Sequence, residues 1–277
     1  MSKEIELIPK LRKEIIDAVN DRKLVLFLGA GVSALTGLPL WNELANNLTK
    51  KCISENCITY SDAEIVFSKI TDTKQKISVV YELFAQHNKT DIFYQCLEND
   101  LSCGSVSNDA EIIFDFCEWS NATVLTTNAD KLLDKHYQDN LIHSELSELV
   151  FRKNYAALYK IHGCISKKDT LVFTSEQYLK RYNNDKFKDF LSRIFESNYT
   201  VLFIGYGMSE FELLEFMIKP SEIVGNDSKL FFLSPYFSYE KPLMNSMDLY
   251  YKSLGIELIP YSRDKNNYNQ LPIIINE

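Results

Sequence analysis

The run Lys23-Leu24-Val25-Leu26-Phe27-Leu28 passes without a break into Gly29-Ala30-Gly31-Val32-Ser33-Ala34, and few folds can accommodate such a segment. An unbroken apolar run this short suits a strand buried on both faces of a parallel sheet. Two glycines in three positions allow a sharp turn and a close approach to a ligand. A helix beginning just beyond would offer free N–H groups and the positive end of its dipole to a diphosphate. Gly29-x-Gly31-x-x-Ala34 fits the relaxed dinucleotide-binding turn, although a plain strand-to-helix turn satisfies it equally. The hydride-transfer version needs a second strand ending in an acidic residue about 20 positions on. Here Leu40–Leu48 shows helical spacing, and nothing strand-like appears before Ala122. The segment therefore predicts a nucleotide pocket built on a different plan.

At 277 residues, with 45% hydrophobic and 25% charged content, the chain can bury one large α/β core or two small ones. A net charge of −8 and the lack of any lysine–arginine run argue against direct nucleic-acid binding. No segment approaches the roughly 20 apolar residues of a membrane span. Met1–Glu6 lacks the form of a secretory signal, so a cytoplasmic protein without membrane contact is expected. Cys52, Cys57, Cys96, Cys103, Cys117 and Cys164 include no Cys-x-x-Cys pair, so reduced thiols are expected and no metal site.

Along the chain, Pro9–Asp21 reads as a helix with Leu11, Ile15, Ile16 and Val19 on one face. Gly37-Leu38-Pro39 interrupts the chain before a helix holding Trp41, Leu44 and Leu48, with Pro39 suited to its start. Between Cys52 and Trp119 the apolar spacing is helical (Ile77, Val80, Tyr81, Phe84; then Ile112, Ile113, Phe116, Cys117), and Asn108 with Glu111 forms a capping box. We read 52–119 as a helical insertion, a subdomain or lid within a single domain over 1–277. Strand character returns at Ala122–Thr126, followed by Thr127-Asn128-Ala129-Asp130 and a helix with Leu132 and Leu133. Leu158–Ile161 runs into His162-Gly163, and Leu171–Phe173 makes another short strand. Thr174 and Gln177 cap the next helix, Phe187, Phe190, Leu191 and Ile194 form a core stripe, and Thr200–Ile204 is a second buried strand ending at Gly205. Lys229–Leu233 and Ile256–Pro260 flank a helix around Leu243, Met247, Tyr250 and Leu254. This alternation predicts an α/β fold with a Rossmann-like, doubly wound, mostly parallel sheet. Ligands of such sheets lie outside the strand C-terminal ends, where Gly29–Ser33, Thr126–Asp130, His162-Gly163 and Gly205–Glu210 all fall.

Those four motifs, Gly29-Ala30-Gly31-Val32-Ser33, Thr126-Thr127-Asn128-Ala129-Asp130, Ile161-His162-Gly163 and Gly205-Tyr206-Gly207-Met208-Ser209, stand in the order seen in sirtuins. The chain resembles most closely the bacterial sirtuin-like domains that destroy NAD during anti-phage defence, over roughly residues 20 to 260. It departs from deacylating sirtuins in three places. The cysteine pairs of a zinc module are missing after His162-Gly163, Leu40-Trp41-Asn42-Glu43 replaces the usual Phe-Arg, and Thr127-Asn128 replaces Gln-Asn. These changes weigh against protein deacylation and leave cleavage of the nicotinamide–ribose bond untouched.

The resemblance implies NAD+ as substrate, with no metal, and assigns roles. Asn128 would hold a ribose hydroxyl and the attacking water; as a bare residue it could equally cap a helix. His162 would accept a ribose proton or orient that water, the alternative being a core histidine bonded to backbone. Gly29, Ala30, Gly31 and Ser33 would face the diphosphate, with Ser33 donating to phosphate. Trp41 would wall the nicotinamide side, Asp130 would brace the loop or the nicotinamide-side hydrogen bonds, and Pro39 and Thr127 are further candidate contacts of the dinucleotide. Gly205 and Gly207, with Tyr206 and Ser209, would let backbone N–H groups approach the adenosine ribose or the diphosphate. Ser209 with Glu212 could also be no more than a capping box. Ser234 and Tyr236 are candidate adenosine contacts, while His87, His136 and His143 carry no motif. The implied function is an NAD+ hydrolase that depletes the cofactor in defence. The alternatives are an NAD-dependent deacylase or ADP-ribosyltransferase, and a non-catalytic NAD or ADP-ribose sensor. Such an activity must stay silent until triggered, and 277 residues leave no room for a separate sensor. Control is therefore expected from a homo-oligomer or an activating partner chain, an ATPase or nucleic-acid sensor, unless the sequence is a piece of a longer effector.

Overall fold

A computed structural model describes residues 4–102, 106–152, 155–196, 198–208, 213–217 and 229–277. The apolar runs become strands of one sheet: β1 (Leu24–Leu28), β2 (Thr123–Thr126), β3 (Ile142–His143), β4 (Leu158–Lys160), β5 (Thr200–Ile204), β6 (Lys229–Tyr236) and β7 (Ile256–Ser262). The spatial order is β3-β4-β2-β1-β5-β6-β7 and every neighbouring pair is parallel. The chain thus starts in the middle, builds outward on one side, then returns to the other flank of β1. This reversal makes the C-terminal ends of β1 and β5 the topological switch point.

Alternation along β1 explains why both sheet faces are covered. Val25 and Phe27 enter one core with Tyr178, Phe187, Phe190 and Met244, under α8 (Ser175–Tyr182), α9 (Asp185–Glu196) and the helix Lys241–Ser253. Leu24, Leu26 and Leu28 enter the opposite core with Ile15, Ile113, Phe114 and Leu271. That face carries α1 (Lys13–Asn20), α7 (Asn108–Trp119) and the helix Gln270–Asn276. All five β1 side chains are buried, as a doubly covered parallel strand requires.

Further helices are α2 (Ala30–Ala34), α3 (Trp41–Ser54), α4 (Tyr60–Phe67), α5 (Thr73–Gln86) and α6 (Thr90–Leu101). Leu44, Leu48, Ile77, Val80, Phe84, Phe93 and Leu97 give α3, α5 and α6 a third core of their own. The helical cluster therefore starts earlier than residue 52, and α7 packs on the sheet instead of within it.

Several local readings are corrected. α1 begins at Lys13 and buries Ile15 and Ala18, whereas Leu11 and Ile16 face solvent. Pro39 stands one residue before the N-cap of α3, which is Leu40. Ser107, not Asn108, caps α7, its hydroxyl accepting from Ala110 N at 3.2 Å. The α-helix expected at Leu132 and Leu133 does not form: the Asp130 carboxylate accepts Leu132 N at 3.0 Å, and this local turn takes a donor a helix would need. The segment continues instead in two 3₁₀ turns, Asp134–His136 and Asp139–Leu141, before β3. Leu171–Phe173 is extended but unpaired with any strand; Val172 N donates to His162 O at 3.1 Å. Among the described residues no helix is long and apolar enough to cross a membrane.

Candidate functional site

The two glycine turns of the switch point are fastened to each other. Gly29 N donates to Ile204 O at 3.0 Å and Gly31 N to Gly205 O at 2.8 Å. A Cβ on Gly31 would stand 2.8 Å from Gly205 O, and one on Gly205, whose φ is +61°, would stand 2.8 Å from Val32 N. The glycines are thus required by the contact between two strand ends. The expectation that these N–H groups face a diphosphate is corrected: the backbone of the β5 turn takes them, and α2 is only five residues long.

Beneath this suture, Asn128, Ser33 and Asp130 form a relay. Ser33 Oγ donates its single proton to Asp130 Oδ2 at 2.6 Å. Ser33 is then the acceptor for Asn128 Nδ2 at 2.9 Å, and the same amide nitrogen donates to Gly29 O at 3.0 Å. Both amide protons are consumed inside the protein, so the Asn128 carbonyl oxygen is the end presented elsewhere. The role given to Ser33 from sequence, donation to phosphate, is replaced by this one: Ser33 is buried and sets the orientation of Asn128. Lys160 braces the loop from below. Its buried ammonium bonds Asp130 O and pairs with Asp134 Oδ1 at 2.6 Å.

His162 lies at the end of β4, fully enclosed. Its Nε2 is 3.0 Å from Tyr182 Oη, and its ring meets that of Tyr178 edge-on at 4.8 Å. Arg181 ties the backbone around it, donating to Ile161 O at 3.0 Å and Thr170 O at 2.9 Å. Burial, together with the positive charges of Arg181 and Lys74, pushes the imidazole well below its ordinary range, so it is neutral near pH 7. Gly163 follows with φ +83°, and a Cβ there would overlap the Thr170 carbonyl.

A cleft of about 1070 Å³ opens over the switch point, room enough for a dinucleotide. Ala30, Gly31, Trp41, Thr127, Gly205, Tyr206, Gly207, Ser234 and Tyr236 line it, which brings together most of the predicted contacts. Gly29, Ser33, Pro39, Asn128, Asp130 and His162 are not among its lining residues, and Ser209 lies outside the described residues. Asn128 instead borders a water-sized cavity with Ser33, Asp130 and Lys160. The placement of Asn128 and His162 in one shared cavity is thus corrected for this conformation: the Tyr178 ring, itself a wall of the cleft, stands against His162. Tyr178 also lies beneath Lys74 Nζ, 3.9 Å from its ring centre, and near Trp41 at 6.5 Å.

The sequence reading missed Lys160, Tyr178, Arg181 and Tyr182. Lys160 carried a signal, a lone cation inside an apolar run beside His162-Gly163. Nothing local marks Tyr178 and Tyr182, whose spacing is that of any helix face.

The strand order and the cleft at the reversal define a Rossmann-like α/β protein. Residues 122–259 match the model of the SIR2-like domain family. The matched span holds the Asn128, His162 and Gly205 motifs; the first glycine turn precedes it. The chain is similar to "Defense-associated sirtuin 2" of Bacillus subtilis, 25% identical over 276 residues, which cover 94% of this chain and 25% of that protein. It is also similar to "NAD(+) hydrolase ThsA" of Cytobacillus dafuensis, 23% identical over 288 residues, covering 96% of this chain and 53% of that one. The chain therefore spans between a quarter and about half the length of these curated relatives.

Proposed function

We propose that the chain binds NAD+ across the switch point and hydrolyses its nicotinamide–ribose bond, giving nicotinamide and ADP-ribose in a defence setting. The observation that carries this reading is the Asp130–Ser33–Asn128 relay, which fixes a carboxamide so that its oxygen can accept from a ribose hydroxyl or water. The name of the hydrolase relative supports the same chemistry. In the reaction the C1′–N electron pair leaves with nicotinamide, through an oxocarbenium-like state that nearby dipoles stabilise. A water oxygen then bonds to C1′, and its proton passes to neutral His162. Trp41 and Thr127 wall the nicotinamide half, Ser234 and Tyr236 the adenosine half.

For His162 to reach the sugar, Tyr178 must withdraw, and Asn128, which borders its own small cavity in this conformation, must open to the cleft as well, so the described conformation is read as the silent one. Helices α3–α6 act as a lid: α5 is bonded to α8 through Ser78 Oγ, which accepts Ser175 N at 2.8 Å. Self-assembly or a partner chain would move this lid. The enclosure of His162 also favours a second reading, a non-catalytic NAD or ADP-ribose sensor. Incubation with NAD+ alone separates the two. Release of nicotinamide and ADP-ribose without an acceptor, abolished in Asn128→Ala and His162→Ala while ADP-ribose still binds, supports hydrolysis. Release unaffected by both substitutions would discard this site.

A further inference from the structure

Among the described residues the cleft lining holds two cations, Lys74 and Arg263, and the reading above gives neither a nucleotide contact. Lys74 lies over Tyr178, beside the strands that carry Asn128 and His162. Arg263 stands at the opposite end, just beyond β7, where Ser234 and Tyr236 close the cleft. The sheet order places this end on the far side of the switch point from β2 and β4, so a dinucleotide with nicotinamide near Thr127 would leave its adenosine ribose beside Arg263.

Arg263 is held as a prepared anion ligand. Its guanidinium carbon stands 4.1 Å from the ring centre of Phe237 and 5.0 Å from that of Tyr268, which fixes the plane of the fork. Its backbone N–H donates to Tyr236 O at 3.0 Å, tying it to the end of β6. Among the described residues one ion pair engages the head, a long contact of 3.4 Å to Glu240 Oε2, and that oxygen already accepts Phe237 N at 2.8 Å. Among the described residues, Arg263 Nε is buried with no hydrogen-bond partner. A guanidinium donor seldom stays buried and unpaired unless an acceptor arrives. Five donors in a planar fork suit a phosphate better than a neutral hydroxyl.

We infer that Arg263, which lines this end of the cleft together with Ser234, forms a subsite for a phosphate on the adenosine ribose, so that the cleft that takes NAD+ binds the 2′-phosphorylated dinucleotide NADP+ as a further and tighter ligand. The inference rests on the nucleotide reading of the cleft and adds the substrate class. It does not depend on His162 being exposed.

Calorimetric titration of the full chain with ADP-ribose and with 2′-phospho-ADP-ribose tests it without requiring turnover. The phosphorylated ligand is expected to bind at least about tenfold more tightly, the factor expected of one charge-assisted phosphate contact. Arg263→Gln should bring the two affinities within about twofold while ADP-ribose affinity changes little. Arg263→Lys should restore part of the difference, and a thermal melt of each variant checks that the stack on Phe237 survives. Equal affinities in the natural protein would overturn the inference and leave the nucleotide reading standing, as would an equal loss of both ligands in Arg263→Gln, which would put Arg263 on the shared diphosphate. Binding of neither ligand would overturn the reading itself, and the inference with it.

Discussion

Ser33 shows how one hydroxyl governs a neighbour's chemistry. Because its proton goes to Asp130, it can only accept from Asn128, and the carboxamide has one orientation. Ser33→Ala removes this constraint without touching the cleft lining. We expect kcat to fall about ten- to a hundredfold, the usual cost of losing an orienting partner, with ADP-ribose affinity kept. A matching loss of affinity in calorimetry would mean that Ser33 binds the ligand after all. His162 offers a second residue-level test. Its folded-state pKa is depressed, so below about 6.5 the unfolded chain gains a proton that the folded chain refuses. Stability is then full above about 6.5 and falls as the pH drops toward the folded value, by at most about 1.4 kcal/mol per unit. His162→Gln should flatten this slope in urea melts at pH 7.5 and 5.5.

At the scale of elements, the sheet is fastened at its centre by backbone. Gly205→Ala would force a side chain into the left-handed region and against Val32 N, 2.8 Å away. A loss of at least about 2 kcal/mol is expected from strain and overlap together, read as a shift in the urea midpoint. Gly163→Ala meets the Thr170 carbonyl with the same left-handed strain and should be at least as damaging. An unchanged midpoint in both variants would show that these turns relax freely. The parallel strands and their helices were legible along the chain, because β1 and β5 bury every side chain and little else reads as an unbroken apolar run of that length. The turn after β2 was not legible as such: Leu132 and Leu133 sit at helical spacing, yet the Asp130 carboxylate takes the Leu132 N–H. The two-residue β3 is too short for any periodicity to reveal.

The whole molecule decides whether the site is open. His162 lies behind Tyr178 and Tyr182, and α5 holds α8 through Ser78 and Ser175. Tyr178→Ala should raise basal NAD+ cleavage roughly tenfold if the ring is what separates His162 from the cleft, since a shift of about 1.4 kcal/mol in an equilibrium is tenfold. Nicotinamide release measured without any partner checks this, and a fall in rate would instead make Tyr178 part of the binding wall. Turnover across protein concentration should rise steeply if assembly moves the lid.

The sequence by itself determined six of the seven strands, the mostly parallel sense of the sheet and the four motifs at strand ends, because burial on two faces and glycine spacing are local properties that a chain must carry in its order of residues. Only the tertiary structure decided what the motif residues touch. Ser33, Asn128 and Asp130 meet through contacts spanning nearly a hundred positions. The enclosure of His162 depends on a helix, α8, that could lie anywhere its apolar face permits. Side-chain direction at such distances is set by packing, which no local pattern encodes.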